Sequence, residues 1–202
     1  MEQKDYFKNL ADSEEIKNVL PLLEMKWGVQ NDKQDIDTSF IYWCKKIDQV
    51  ISLSLSYNID IGYALHRWYN FQCSKYVEKI FCEYGAIPYK DPKDHDIDLI
   101  IDNVPFDIKL SFISNLYKGD KDLTKRTSKD NYIKWLKENA SQEGRKHTAN
   151  KIFVICETLQ DKCNFLRITE KVIKFIDYFY ANTEKYKGQE ICELIYIPKG
   201  EN

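Results

Sequence analysis

The chain has 202 residues, of which 43% are hydrophobic and 31% charged, a balance typical of a globular domain with a sizeable core. It contains no run of about 18 apolar residues, which predicts no membrane span, and its polar N-terminus differs from a secretory signal, so we expect a cytoplasmic protein. The net charge of −2 excludes a globally basic nucleic-acid binder, so any phosphate-binding surface must be local.

The cysteine pattern argues against both a disulfide framework and a zinc site. The six cysteines, at positions 44, 73, 82, 156, 163 and 192, form no Cys-x-x-Cys pair and mostly fall in apolar patterns. The three histidines are scattered and supply no ligand spacing. We therefore expect reduced thiols that belong to the core.

The first 59 residues are predicted to be mostly helical. Apolar residues recur at helical spacing between Thr38 and Leu55, and Pro21 is expected to break or begin a helix. This segment carries no constellation of catalytic residues. We expect it to be a helical extension that serves packing or dimerisation, with substrate recognition as the weaker alternative.

A long helix is predicted over residues 60–84. Asp60 is a suitable N-cap, and Gly85 is a suitable residue just beyond the C-terminus. Glu78 lies at the edge of the buried stripe, from where a carboxylate can reach the end of a neighbouring sheet. The alternatives are that Glu78 is an ordinary exposed helix residue, or that Glu83 is the carboxylate that faces the sheet.

The next segment, DHDIDLIIDNVPFDIKLS, predicts a β-hairpin. Apolar residues alternate with polar ones on both sides of Asp102-Asn103, as they do in half-buried strands. Aspartate and asparagine tolerate the positive φ angles of a two-residue hairpin turn, which would fix the strand register.

That register places carboxylates face to face. Asp98 then lies opposite Asp107, and Asp96 lies opposite Lys109, with Cβ atoms of each pair about 4.5–5.5 Å apart. Two facing like charges destabilise a sheet, and a divalent cation between them would remove the repulsion. The alternative is a solvated acidic hairpin in which Asp96 and Lys109 form a surface pair.

Asp98 together with Asp107-Ile108-Lys109 resembles the motif of the PD-(D/E)XK nuclease superfamily, to which many restriction endonucleases belong. Ile97 stands where the name of the superfamily has proline. The resemblance covers roughly residues 60–157 and implies that Glu78, on the helix before the sheet, is a further metal ligand.

A basic stretch follows the hairpin. Residues 118–151 contain ten lysines and arginines against five acidic residues, with aromatic residues between them. Such a stretch suits contacts with a nucleic-acid backbone, whereas the alternative is a solvated, lysine-rich loop and helix. The resemblance implies an auxiliary helix here whose polar side chains face the scissile phosphate, namely Gln142, Arg145, His147 and Asn150.

The remaining pattern predicts a strand over 152–156, another over 163–168, a helix capped by Thr169, and a last strand over 190–197. The chain is thus predicted to be one α/β domain, with a mixed β-sheet flanked by helices. Its parts are the helical extension (1–59), the core (60–157) and a C-terminal strand–helix–strand segment (158–202). The resemblance implies a restriction-endonuclease-like fold.

The resemblance also implies a function, that of a Mg²⁺-dependent endonuclease that hydrolyses DNA phosphodiester bonds in restriction or phage defence. Asp98, Asp107, Glu78 and the carbonyl of Ile108 would hold one or two Mg²⁺ ions, with Mn²⁺ as a substitute, and Lys109 would orient the attacking water. The alternative is a catalytically inactive module of the same fold that binds nucleic acid or protein.

Overall fold

The computed structural model describes residues 14–23, 37–89, 97–139, 150–186 and 188–200. Asp96, Gln142, Arg145 and His147 therefore lie outside the described residues. The chain divides into two compact units, Met1–Lys75 and Tyr76–Asn202, and their boundary lies inside the long helix. The predicted division after residue 59 stays a prediction.

The first unit is helical where it is described. Residues 14–18 are helical, and 3-10 helices span Leu20–Leu22 and Ser39–Tyr42. Pro21 lies in the first turn of the former, in agreement with its predicted role. Helix α1 spans Ile47–Ser56.

The helical spacing predicted between Thr38 and Leu55 falls on two helical pieces, Ser39–Tyr42 and Ile47–Ser56, because the chain is extended at Lys46. Gln49 explains the interruption, since its side-chain oxygen accepts hydrogen bonds from the main-chain N–H groups of Lys45 and Lys46 and so starts a new helix. As a result Trp43 and Leu55, both assigned to the apolar pattern, are exposed.

The predicted long helix is confirmed as helix α2, Ile61–Glu83. Both of its predicted end residues are confirmed as well. The Asp60 carboxylate accepts the N–H of Tyr63 at 2.6 Å, as an N-cap does. At the other end Gly85 has a φ of 110°, and the N–H of Ala86 donates to the carbonyl of Phe81 at 3.0 Å. This is the Schellman pattern, which favours glycine at the left-handed position.

The second unit contains a five-stranded mixed sheet, which confirms the α/β class. Its strands, β1 Ile87–Pro88, β2 Leu99–Ile101, β3 Val104–Phe112, β4 Asn150–Cys156 and β5 Cys192–Ile197, lie side by side in sequence order. The first three strands are antiparallel, and β3, β4 and β5 are parallel.

The hairpin is confirmed, and so is its register from the turn to the pair of Leu99 with Phe106. Asp102 and Asn103 have φ angles of 48° and 62°, and Leu99 pairs with Phe106 as the two-residue turn requires. Pro105 lies opposite Ile100. In this register that pair exchanges no ladder hydrogen bonds, so the missing N–H of proline costs nothing there.

Two helices cover the sheet on opposite faces. Helix α3, Arg126–Asn139, places Tyr132 and Leu136 in the cluster that contains Phe153 of β4. Helix α4, Phe165–Ala181, packs on the other face with Ile152 and Val154 of β4, together with the C-terminal part of α2. The two crossovers, from β3 to β4 through α3 and from β4 to β5 through α4, both add the next strand on the same side of the sheet. Because their helices lie on opposite faces, the two crossovers have opposite handedness, and one of them is of the rare left-handed type.

The strand predicted at 163–168, and with it the strand–helix–strand pattern of the C-terminal segment, is wrong. A 3-10 helix spans Gln160–Cys163, and α4 already begins at Phe165. Asn164 rather than Thr169 is the cap, accepting the N–H of Arg167. The reason is that Ile168 continues the buried helical stripe of Val172 and Ile176.

Two further expectations concern the chain as a whole. The six cysteines are thiols and each is buried or half-buried, as predicted. None of the helices in the described ranges combines the length and the apolar composition needed to cross a membrane.

Candidate active site

The candidate site is built around Asp107 on β3, the central strand of the sheet. The residue is only 1% exposed, and the Nζ of Lys109, two residues along the same face, lies 2.8 Å from its Oδ1. The Lys109 side chain is 51% exposed. A buried carboxylate is therefore paired with an ammonium group that remains open to solvent.

Asp98 lies beside Asp107 at the point where the regular antiparallel pairing of β2 and β3 ends. The last regular pair is Leu99 with Phe106; the N–H of Asp98 then donates to the Phe106 carbonyl at 2.9 Å. The N–H of Ile108 donates at 2.7 Å to the Oδ2 of Asp98, a side-chain rather than a main-chain acceptor. This bond fixes the Asp98 carboxylate against strand β3.

The charges around Asp98 and Asp107 favour the binding of an additional cation. Burial raises the pKa of Asp107, Lys109 acts to lower it, and the neighbouring Asp98 carboxylate raises it further. Both Asp107 oxygens are buried. The Lys109 ammonium, 2.8 Å from Oδ1, is within hydrogen-bonding distance, but it compensates the burial and the nearby Asp98 carboxylate only in part, since the pKa of Asp107 remains raised.

This donor set fits a hard divalent cation in part. The oxygens of Asp98 and Asp107 are the ligand type that Mg²⁺ prefers. Among the described residues, however, no group of three or more His, Cys, Asp or Glu side chains has the spacing of a metal site, so Glu78 does not join the two aspartates in such a group.

Helix α2 carries Glu78, and its neighbours along the helix face the core. Its core residues Val77 and Phe81 pack with Ile108, on the sheet face opposite to that of Asp107. Glu78 is half-buried and Glu83 is exposed at the end of the helix. Their roles as ligands, and that of the Ile108 carbonyl, stay predictions.

Asn150 is the one residue of the predicted auxiliary helix within the described ranges, and its assignment to a helix is wrong. It is the first residue of β4. Its side-chain amide donates to the Pro105 carbonyl at 3.1 Å and accepts the N–H of Ile191 at 2.9 Å. These bonds join three segments of the sheet, and contact of Asn150 with a substrate stays a prediction.

Lys151 is a candidate that the sequence analysis missed. The parallel register pairs it with Asp107, so that its half-buried side chain emerges on the face that carries Asp107 and Lys109. No turn fixes the register of two parallel strands separated by a crossover, so the sequence offers no direct signal for this neighbour.

Part of the described positive charge in the basic stretch is paired with acidic residues. Lys125 lies 3.2 Å from Asp120 and 3.1 Å from Asp122. The pKa of Asp120 is lowered first by the main-chain N–H of Asp122, and that of Asp122 first by the Thr124 hydroxyl, with Lys125 contributing to both. Lys137 pairs with Glu190 at 3.0 Å. Lys125 and Lys137 are therefore less available to a nucleic acid than an unpaired lysine would be.

No protein-family model matches this sequence, and no curated protein or solved structure is significantly similar to it. A function must therefore be inferred from the chemistry of Asp98, Asp107 and Lys109 and from the sheet that brings them together.

Proposed function

We propose that the protein is a metal-dependent nuclease of the PD-(D/E)XK type, with a restriction-endonuclease-like fold, that hydrolyses DNA phosphodiester bonds. The observation that carries the proposal is the buried Asp107 carboxylate, held between the Lys109 ammonium and the Asp98 carboxylate. Burying a partly satisfied charge destabilises a fold, so such a group favours a chemical role over a structural one.

Asp98 and Asp107 would hold a Mg²⁺ ion, with Mn²⁺ as a substitute and with Glu78 and the Ile108 carbonyl as further ligands. When bound, the ion lowers the pKa of a coordinated water and offsets charge that grows on the phosphate. The protein contributes the carboxylate positions, which the hydrogen bond from Ile108 to Asp98 holds in place.

Lys109 would act on the reaction rather than on the ion. Its ammonium group lies at the solvent-exposed side of Asp107, where a phosphate can approach. From there it orients the attacking water and stabilises negative charge in the transition state, a type of contribution worth roughly 10²–10⁴-fold in rate.

Other residues would position the substrate. Lys151, beside Asp107 in the register, would contact a phosphate oxygen. Gln142, Arg145, His147 and Asn150 remain proposed contacts with the DNA. Cleavage of foreign DNA in the cytoplasm, as in restriction or phage defence, and a homodimer that cuts both strands are the biological setting in which this site would work.

The test is a cleavage assay on plasmid and synthetic DNA with Mg²⁺, Mn²⁺ or EDTA. We expect cleavage by the wild type in either metal, none in EDTA, and a loss of at least about 100-fold in Lys109→Ala. Lys134→Ala, which removes an exposed lysine of α3, is the matched control and should cut normally. DNA binding without cleavage in either metal would favour the inactive binding module.

A further inference from the structure

The pairing of the first three strands brings Tyr89 to the face of the sheet that carries Asp107. Ile87 of β1 pairs with Ile100 of β2, and Ile100 pairs with Pro105 of β3, so these three residues share one face. Side chains of a strand return to the same face every second residue. Tyr89 follows Ile87 by two residues and Asp107 follows Pro105 by two, so both lie on this face and at the same level along the strands.

A hydrogen bond extends the pairing of β1 and β2 to Tyr89. Strand β1 ends at Pro88, but the N–H of Tyr89 still donates to the carbonyl of Asp98 at 3.0 Å. Neighbouring strands lie about 4.8 Å apart, so Asp98 occupies the strand between Tyr89 and Asp107. Beyond Asp107 the same level continues with Lys151 of β4. The two carboxylates therefore lie between a phenol on one side and an ammonium group on the other.

The Tyr89 hydroxyl is available to a ligand. The residue is half-buried, and its side chain takes part in no hydrogen bond with the described part of the chain. By contrast, the hydroxyls of Tyr132, Tyr186 and Tyr196 each bond to a protein group, at 2.9, 3.0 and 2.8 Å. Strand β1 is also an edge of the sheet, so Tyr89 lies at the outer side of the candidate site. A tyrosine with an apolar ring packed and a polar tip open is suited to contact a polar ligand.

We propose that Tyr89 is a substrate-contacting residue of this site and that its hydroxyl donates a hydrogen bond to a phosphate oxygen of the DNA. A phenol is a neutral donor, so it contacts the phosphate without competing with the ion for the carboxylates. Hard cations take carboxylates, carbonyls and water rather than a neutral phenol, which disfavours Tyr89 as a further metal ligand. The inference rests on the proposed function and adds a residue to its substrate contacts.

The surroundings of the two carboxylates explain why a donor is useful at this position. Lys109 and Lys151 supply positive charge from β3 and β4. On the side of β1 and β2, Asp98 presents negative charge to an approaching phosphate. A donor at Tyr89 offsets that repulsion, and its hydrogen bond strengthens as negative charge grows on the phosphate oxygens in the transition state.

The test compares the rate of DNA cleavage in Mg²⁺, under single-turnover conditions, between the wild type and Tyr89→Phe. Phenylalanine keeps the ring and removes only the hydroxyl, so we expect a loss of about tenfold or more in rate with an unchanged melting temperature. Mn²⁺ affinity in a calorimetric titration should also be unchanged. Tyr84→Phe is the matched control, because Tyr84 is half-buried as well but packs in the core cluster on the opposite face of the sheet. It should cut at the wild-type rate.

Two results would overturn the proposal. Equal cleavage rates for the wild type and Tyr89→Phe would mean that the ring only packs against the sheet. A parallel loss of Mn²⁺ binding and cleavage in Tyr89→Phe would mean that the hydroxyl holds Asp98 in place and does not contact the substrate.

A second readout separates this proposal from the nuclease proposal. The anisotropy of a fluorescein-labelled 20-mer duplex, titrated in Ca²⁺ where no cleavage is detected, should show about threefold or more weaker binding by Tyr89→Phe and none of this loss in Tyr84→Phe. If the wild type binds DNA but cuts in neither Mg²⁺ nor Mn²⁺, this loss would support the contact and contradict the nuclease. Cleavage by the wild type with no effect of Tyr89→Phe on rate or affinity would do the reverse. A wild type that neither binds nor cuts DNA would contradict both.

Discussion

At the scale of single residues, Asp107 combines burial with charge. A carboxylate that is 1% exposed loses its hydration, and one half-exposed lysine replaces only part of it. Burial and the neighbouring Asp98 both raise the pKa of Asp107 in the folded protein. The folded state therefore holds a proton on Asp107 more tightly than the unfolded chain does.

This shift predicts a pH-dependent difference in stability. The stabilisation linked to a raised pKa is complete below the ordinary value of 3.8 and is lost as the pH rises through the folded pKa. Asp107→Asn cannot ionise, so in EDTA at about pH 7.5 it should melt a few degrees above the wild type, and the gap should close toward about pH 4. Thermal melts across this range provide the measurement.

Asp130→Asn is the control, because the side chain of Asp130 is 65% exposed and its removal should leave the pH profile unchanged. An Asp107→Asn variant that melts below the wild type at neutral pH would contradict the prediction. It would mean that Asp107 and Lys109 are a structural ion pair.

Variants of Asp98, Asp107 and Lys109 should separate metal binding from catalysis. In a calorimetric titration with Mn²⁺, Asp98→Asn and Asp107→Asn should each lose binding, because each removes a charged ligand. Lys109→Ala should retain binding or strengthen it, because it removes a positive charge 2.8 Å from a ligand. Mn²⁺ binding that survives in both asparagine variants would place the metal elsewhere.

At the scale of elements, the hairpin turn determines where the aspartates meet. Asp102 and Asn103 both have positive φ angles, which only a few residue types adopt at low cost. The turn sets the pairing of Leu99 with Phe106, and Asp98 follows directly after that pair. The geometry of the site is therefore tied to two exposed residues that take no part in its chemistry.

Substitution at the turn tests this dependence. Asn103→Ala should lower the free energy of unfolding by about 1 kcal/mol, because alanine is strained at positive φ, while Asn103→Gly should lose nothing. Chemical denaturation of the two variants measures the difference. If alanine and glycine behave alike, the turn does not hold the register.

At the scale of the whole molecule, charge is spread almost evenly over the two units. Residues 1–75 contain nine lysines and arginines against eleven acidic residues, and residues 76–202 contain 21 of each. Any surface that attracts phosphate must therefore be local, and residues 118–151, with ten basic and five acidic residues, have a positive excess.

The features that depend on neighbouring residues could be predicted from the amino-acid sequence. The ends of α2 follow from Asp60 and Gly85, and the hairpin register follows from Asp102-Asn103. These rules act over a few residues, because capping hydrogen bonds and positive φ angles are local properties. For the same reason the proximity of Asp98 and Asp107 could be predicted from the pattern alone.

Features that join distant parts of the chain could not be predicted in this way, because they depend on how the complete chain packs. The parallel register that places Lys151 beside Asp107 spans a long crossover, and the packing of Val77 and Phe81 of α2 with Ile108 joins a helix to a strand more than 25 residues away in the chain. The segment at 163–168 has an alternation that suits a strand, but packing of Ile168 beside Val172 makes it helical. Local pattern leaves such choices open, because the free energy of burying apolar surface depends on which surfaces the complete fold brings together.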